Sequence, residues 1–197
     1  MAVSAVQICN MALAKIGNYS ITSLDDATKE ARACKVFYPF LRNEMLQSHP
    51  WNFAMSRADI SAALTTTPAF QWDYAYTLPA DCLRVWELYG STAEWVCEDW
   101  QLLTNQDAEI YIRYIKLIET TGRYSPAFDS CLATRVGAEL ATKLADDKKM
   151  RLELLNELYT VQLPNAYALN AMEGNRPLTI GEQGADAGNY TWQTEGR

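Results

Sequence analysis

A single histidine, His49, is all the imidazole this chain possesses. That scarcity removes multi-histidine metal sites and every His-dependent triad that does not use His49 itself. His49 precedes Pro50 at the end of a helical pattern, where packing or capping is its expected role. No glycine-rich phosphate loop follows a strand pattern, and nucleophile elbows, zinc-protease motifs and calcium loops are missing too. No cofactor and no catalysis are therefore expected. Apolar runs stay short of the roughly eighteen residues that a membrane helix needs, so no membrane span is expected. The N-terminus has no basic segment followed by an apolar core, and the protein is expected to work where it is made. Cysteine is sparse and scattered: Cys9, Cys34, Cys82, Cys97 and Cys131 form no Cys-x-x-Cys pair. Reduced, mostly buried thiols are the expectation, although Gly90 lies near the midpoint of a conceivable Cys82–Cys97 bond.

Positive charge is also in short supply. Seventeen basic side chains face 24 acidic ones, a net charge of −7. A protein that grips nucleic acid through phosphates needs a basic patch, so this balance argues against tight nucleic-acid binding. It suits a surface that DNA passes without sticking.

Aromatic residues are what the chain has in quantity. Five of its six tryptophans fall between Trp51 and Trp100, and eleven tyrosines outnumber five phenylalanines. Tryptophan and tyrosine are apolar in body and polar at the tip, which favours interfaces wet at the edge. With 197 residues, 49% of them hydrophobic, the chain is long and apolar enough to bury a core.

The periodicity divides the chain. Ser4 and Gln7 form a capping-box pattern that opens a helix to about Ile16, with Gly17 as terminator. Ser23 and Asp26 repeat that logic, and Ala27, Ala31, Cys34, Tyr38, Leu41 and Met45 then recur at helical steps, with Pro39 inside as a candidate kink. Pro50 stops this helix. From Trp51 to Thr121 the chain reads as β structure, with Gly90-Ser91 as a hairpin turn from the 82–89 strand into Glu94–Cys97. Residues 109–118 form the strongest strand, Ile110, Ile112 and Tyr114 on one face and Ile115 and Leu117 on the other. Ser125-Pro126 starts a helix to Asp147, and Met150 to Met172 reads as the last helix, with Leu154, Leu155, Leu158 and Tyr159 apolar and Pro164 bending it. After Glu173 the chain turns glycine-rich and polar. The expected fold is α+β: a helical bundle from residues 1–50 and 123–173, a β-rich insertion at 51–122, and an extended C-terminal arm at 174–197.

Four segments follow one another in a suggestive order: Ala12-Leu-Ala-Lys-Ile-Gly17, Ile21-Thr-Ser-Leu-Asp-Asp26, His49-Pro-Trp-Asn-Phe-Ala54, and Tyr74-Ala-Tyr-Thr-Leu-Pro-Ala-Asp-Cys-Leu-Arg-Val85. Their order and spacing resemble the tail tubular protein A family, the head-to-tail adaptors of short-tailed bacteriophages. The resemblance extends through Tyr111–Ile115 and the C-terminal helices, over most of residues 1–173. It implies a structural virion protein of the viral tail, made and assembled in the host cytoplasm. About twelve copies would form a homo-oligomeric ring between the portal protein and the tail nozzle protein, and double-stranded DNA would pass through the lumen without specific binding. A head-completion or stopper protein of a longer-tailed phage is the alternative within this class.

A tail-associated glycoside hydrolase is the one enzymatic alternative with physical content, because Glu94, Glu98 and Asp99 stand beside Trp95 and Trp100. A solvated rim around an apolar cluster explains the same residues more simply. The candidate partner-binding residues are Trp95 and Trp100 in the β region and Tyr190 and Trp192 in the arm. The last two would share one face if the segment were extended.

Overall fold

The computed structural model describes residues 3–64, 68–107 and 109–173. Helices come from both ends of the chain and strands lie between them, an α+β fold. Helix α1 (Ala5–Lys15) opens with the reciprocal capping box: Ser4 Oγ accepts from the Gln7 N–H, and the Ser4 N–H donates to Gln7 Oε1 at 2.7 Å. Gly17 follows with φ +67°, the left-handed conformation that glycine adopts without a Cβ penalty.

Helix α2 (Lys29–Ser48) starts later than its sequence pattern suggests. Thr28, not Ser23, is the N-cap, and its hydroxyl accepts from the Ala31 N–H. Ser23 and Asp26 instead close a separate turn in which the Asp26 carboxylate accepts from the Ser23 and Thr22 N–H groups. Those bonds hold the Asp26 carboxyl below its usual range, the Ser23 amide contributing most. Ala27 consequently lies outside the helix and is exposed. Pro39 does not end α2, because it sits on the outer face, where water can reach the carbonyl its missing N–H leaves free.

Helix α3 (Pro126–Leu144) begins as its Ser-Pro start requires, with Ser125 as cap. It is the central helix, flanked by α1, α2, and α4 (Lys148–Glu157), and Gly137 lets the Ala12 backbone approach closely. Any Cβ at 137 would meet the Ala12 carbonyl oxygen at 3.3 Å. The last helix is not continuous α. Residues Leu158–Gln162 form a π turn before α5 (Leu163–Met172). Pro164 cannot donate to the preceding turn and its ring would crowd a carbonyl there, and the widened turn relieves that conflict. Tyr159 is 58% exposed and does not join the apolar stripe of Leu154 and Leu158.

Among the described residues, six strands form two three-stranded antiparallel sheets. The first has the order β1 (Met55–Asp59), β6 (Tyr111–Lys116), β3 (Cys82–Leu88); the second, β2 (Tyr74–Thr77), β5 (Gln101–Thr104), β4 (Trp95–Glu98). The expected hairpin at Gly90 does not exist. Gly90 turns the chain with φ +73°, but β3 pairs with β6 while β4 crosses to the other sheet and pairs with β5. Long-range pairing outranks the local turn signal there.

The alternation of β6 explains how the layers join. Ile112 and Tyr114 pack with Val85, Leu88, Tyr76 and Leu102 in a core between the two sheets. Ile115, on the opposite face, is fully buried in the helical core together with Leu46, Phe128 and Leu132. Asp81 braces this joint: its carboxylate lies 2.7 Å from Lys116 Nζ and accepts from Tyr114 Oη at 3.1 Å. The lysine holds the Asp81 carboxyl below its ordinary range.

Candidate functional site

His49 is a packing residue. Its ring stacks on Tyr167 at 4.0 Å and meets the edge of Trp51 at 4.9 Å. Nε2 lies 3.3 Å from the Asn170 side-chain amide, and burial lowers the affinity of the ring for a proton. Among the described residues no group of three His, Cys, Asp or Glu side chains is arranged to hold a metal ion. The five thiols are free, and burial pushes the Cys82 and Cys131 thiols up to about 11. Cys82 and Cys97 do border one groove, without being bonded.

The carboxylates and tryptophans that motivated the glycosidase alternative do not converge. Glu98 and Asp99 border a cleft of about 580 Å³ with Phe70 and Trp72. Glu94 lines a separate concavity beside Ser91 and Gln106. Trp95 and Trp100 line a third groove, against Leu83 and Gln47. Adjacent residues of β4 alternate between faces, so neighbours in sequence serve different surfaces.

The two tryptophans also differ in kind. Trp95 is half-buried and packs on the core between the sheets, so its ring serves mainly as structure. Trp100 is 69% exposed. It stands with Asp99 in the tight turn between β4 and β5, where Glu98 pairs with Gln101 across the hairpin. Both turn residues have positive φ, 46° for Asp99 and 59° for Trp100. Two-residue hairpins favour this geometry, but glycine or asparagine normally supplies it, and a bulky ring there is strained. Tyr190 and Trp192 lie outside the described residues.

Other apolar side chains are exposed on separate faces. Val36 and Phe40, one helical turn apart on α2, are 67% and 68% exposed. Tyr159, Val161, Leu169 and Met172 are also exposed along the C-terminal helical segment.

One feature that sequence reasoning missed lies on the outer face of the first sheet. Arg57 of β1 sits directly opposite Arg113 of β6, and Arg113 in turn faces Glu87 of β3, with which it forms a 2.8 Å ion pair. The next row holds Asp59, Tyr111 and Tyr89, and these residues surround a concavity of about 400 Å³. Arg57 is exposed and its side chain has no hydrogen bond or ion pair among the described residues. Alternation along β1 and β6 places the arginines on one face, but only the strand register brings them together. No protein-family model matches the chain, and no curated protein matches it.

Proposed function

We propose that this protein is a head-to-tail adaptor of a short-tailed bacteriophage. In this reading it is a structural subunit that assembles into a ring of about twelve copies between portal and tail nozzle, and the ring lets DNA through. The observation that carries the reading is the ordered set of four segments, each of which occupies a junction of the fold. Gly17 ends α1, Asp26 closes the turn before α2, Trp51 is fully buried between helices and strands, and Asp81 braces β3 against β6. The second support is exposed apolar side chains on two elements, Val36 and Phe40 on α2 and Leu169 and Met172 on α5. A ring built head-to-tail needs two different surfaces on each subunit. Electron micrographs of the purified protein, alone and mixed with a portal protein, test the reading. Rings that cap the portal are the expected image, and the absence of any ring or portal complex would end it.

The ring wall is expected to be electronegative or neutral, since each copy carries a net charge of −7. Phosphate is repelled at short range, screened beyond about 8 Å at physiological salt, so DNA slides without binding. A mobility-shift titration at low salt should give no stable complex. Tight binding that weakens steeply with added salt would contradict this expectation.

The arm at 174–197 is proposed as a docking segment for the portal or the next subunit. Its composition cannot bury a core of its own, yet it contains Tyr190 and Trp192. Removing 174–197 should leave the melting midpoint of the monomer unchanged while weakening attachment to the portal or a neighbour. A truncated protein that completes particles as well as the full chain would show that the arm has no such role.

A further inference from the structure

We propose that the β4–β5 turn, Asp99-Trp100, inserts into the Arg57–Arg113 concavity of a second copy of this chain. The contact rests on the ring reading above and specifies one of its interfaces. Three observations on each side carry it.

On the receiving side, two guanidinium groups occupy directly opposed register positions of β1 and β6. Like charges placed opposite each other across a strand pair repel. Glu87 neutralises Arg113, Asp59 in the same concavity accepts from the Ser61 N–H and hydroxyl through Oδ1, and Arg57 is left exposed with no ion pair among the described residues. Tyr89 and Tyr111, 63% and 40% exposed, flank the arginines and offer flat apolar walls with hydroxyl tips. The site therefore suits a group that brings both an anion and a large ring.

On the inserting side, Glu98 and Asp99 are exposed carboxylates, and neither has a cationic partner among the described residues. Trp100 is held at the tip in a backbone conformation that disfavours it, with its ring 69% exposed. A strained, solvent-exposed tryptophan beside unpaired acids is a poor arrangement for an isolated subunit and a good one for a plug. Asp99 pairs with Arg57 in the contact, and the indole lies between the two tyrosines, within reach of the guanidinium faces.

The positions also fit the symmetry. The concavity opens on the face of the first sheet turned away from the second, whereas the turn belongs to the second sheet. Plug and socket are thus different patches of one subunit, as a heterologous contact requires.

A charge-swap experiment on the full-length chain tests this. Sedimentation velocity over a wide range of protein concentration should show the wild type self-associating, less so as salt is raised. Arg57→Glu and Asp99→Lys should each weaken association about tenfold or more, with unchanged circular dichroism and melting. An equimolar mixture of the two variants should recover association, because Asp99 of one copy then meets Arg57 of the other and Lys at 99 meets Glu at 57. A wild type that stays monomeric throughout, single variants that associate like the wild type, or a mixture that does not recover would each overturn the contact. The outcome is separable from the broader reading. Rings on the portal formed equally well by Arg57→Glu discard this contact and leave the adaptor function standing, whereas a protein that never forms rings discards the adaptor function itself.

Discussion

Replacing Trp51 with alanine is expected to destabilise the monomer by about 3–5 kcal/mol, the usual loss for a fully buried aromatic. Trp51 has no exposed surface. Its ring meets Phe128 of α3 edge-on at 5.1 Å, lies 5.5 Å from Tyr167 of α5 and 6.0 Å from Phe53, and receives the edge of His49. The indole Nε1–H donates to the Met45 carbonyl at 3.0 Å, one of the carbonyls at the end of α2 that the helix cannot satisfy itself. Alanine would therefore leave a cavity among four aromatic rings and remove one of two side-chain donors to the Met45 carbonyl, the other being Ser48 Oγ at 2.8 Å. For a chain of this length each kcal/mol lowers the melting midpoint by roughly 2–4 °C, so a drop of about 6–20 °C is anticipated. Calorimetry or thermal circular dichroism reads it directly, and a natively folded variant with an unshifted midpoint would mean that this cluster does not hold the joint together. Phe53, its neighbour, is only half-buried and packs on the rim of the same cluster, so its truncation should cost less.

The end of α2 was legible because its signal is local: Pro50 forces His49 out of helical geometry. The Ser4–Gln7 capping box and the Ser125-Pro126 start were legible for the same reason: each is decided within one helical turn. The faces of β6 could be read from alternation alone, and Ile112 and Ile115 do enter different cores. What escaped is what distant segments decide. Gly90 carries a sound turn signal, yet β6 and β5 compete for its flanking strands and each takes one. Ser23 and Thr28 are both good caps, and only the bonds of Asp26 to the 22–23 amides show which of them begins the helix. The π turn arises from a conflict between Pro164 and the packing of Leu158 and Leu163, neither of which shows as periodicity. Trp100 in a left-handed turn is invisible beforehand because tryptophan is not a turn former. The Arg57–Arg113 pair depends on register, which no single strand encodes.

Asp129→Asn is expected to stabilise the protein at neutral pH and to have little effect in acid. Asp129 lies in the first turn of α3 and is only 5% exposed, and its Oδ1 is buried without a hydrogen-bond partner. Burial pushes its carboxyl up to about 6, and the same burial raises the nearby Tyr124 phenol. The helix N-terminus favours an anion there, but that attraction is worth about 0.3–1 kcal/mol, less than the desolvation it opposes. With the folded value above the unfolded one, the folded state binds the proton more tightly. The associated stability is fully present below the unfolded value, near 3.8, and is lost as pH rises through about 6. At pH 7.5 the wild type therefore folds around an uncompensated charge. Asparagine has the same shape without the charge, and after allowing for an amide that also lacks partners the gain should be about 1–2 kcal/mol. Urea unfolding of both proteins at pH 4 and pH 7.5 isolates the effect, because carboxylates with depressed values such as Asp26 and Asp81 shift stability in the opposite direction but equally in both chains. A difference that grows from pH 4 to pH 7.5 is the expected signature. If the two pH profiles run parallel, or if the variant is less stable at pH 7.5, Asp129 is paired in solution and its burial carries no charge penalty.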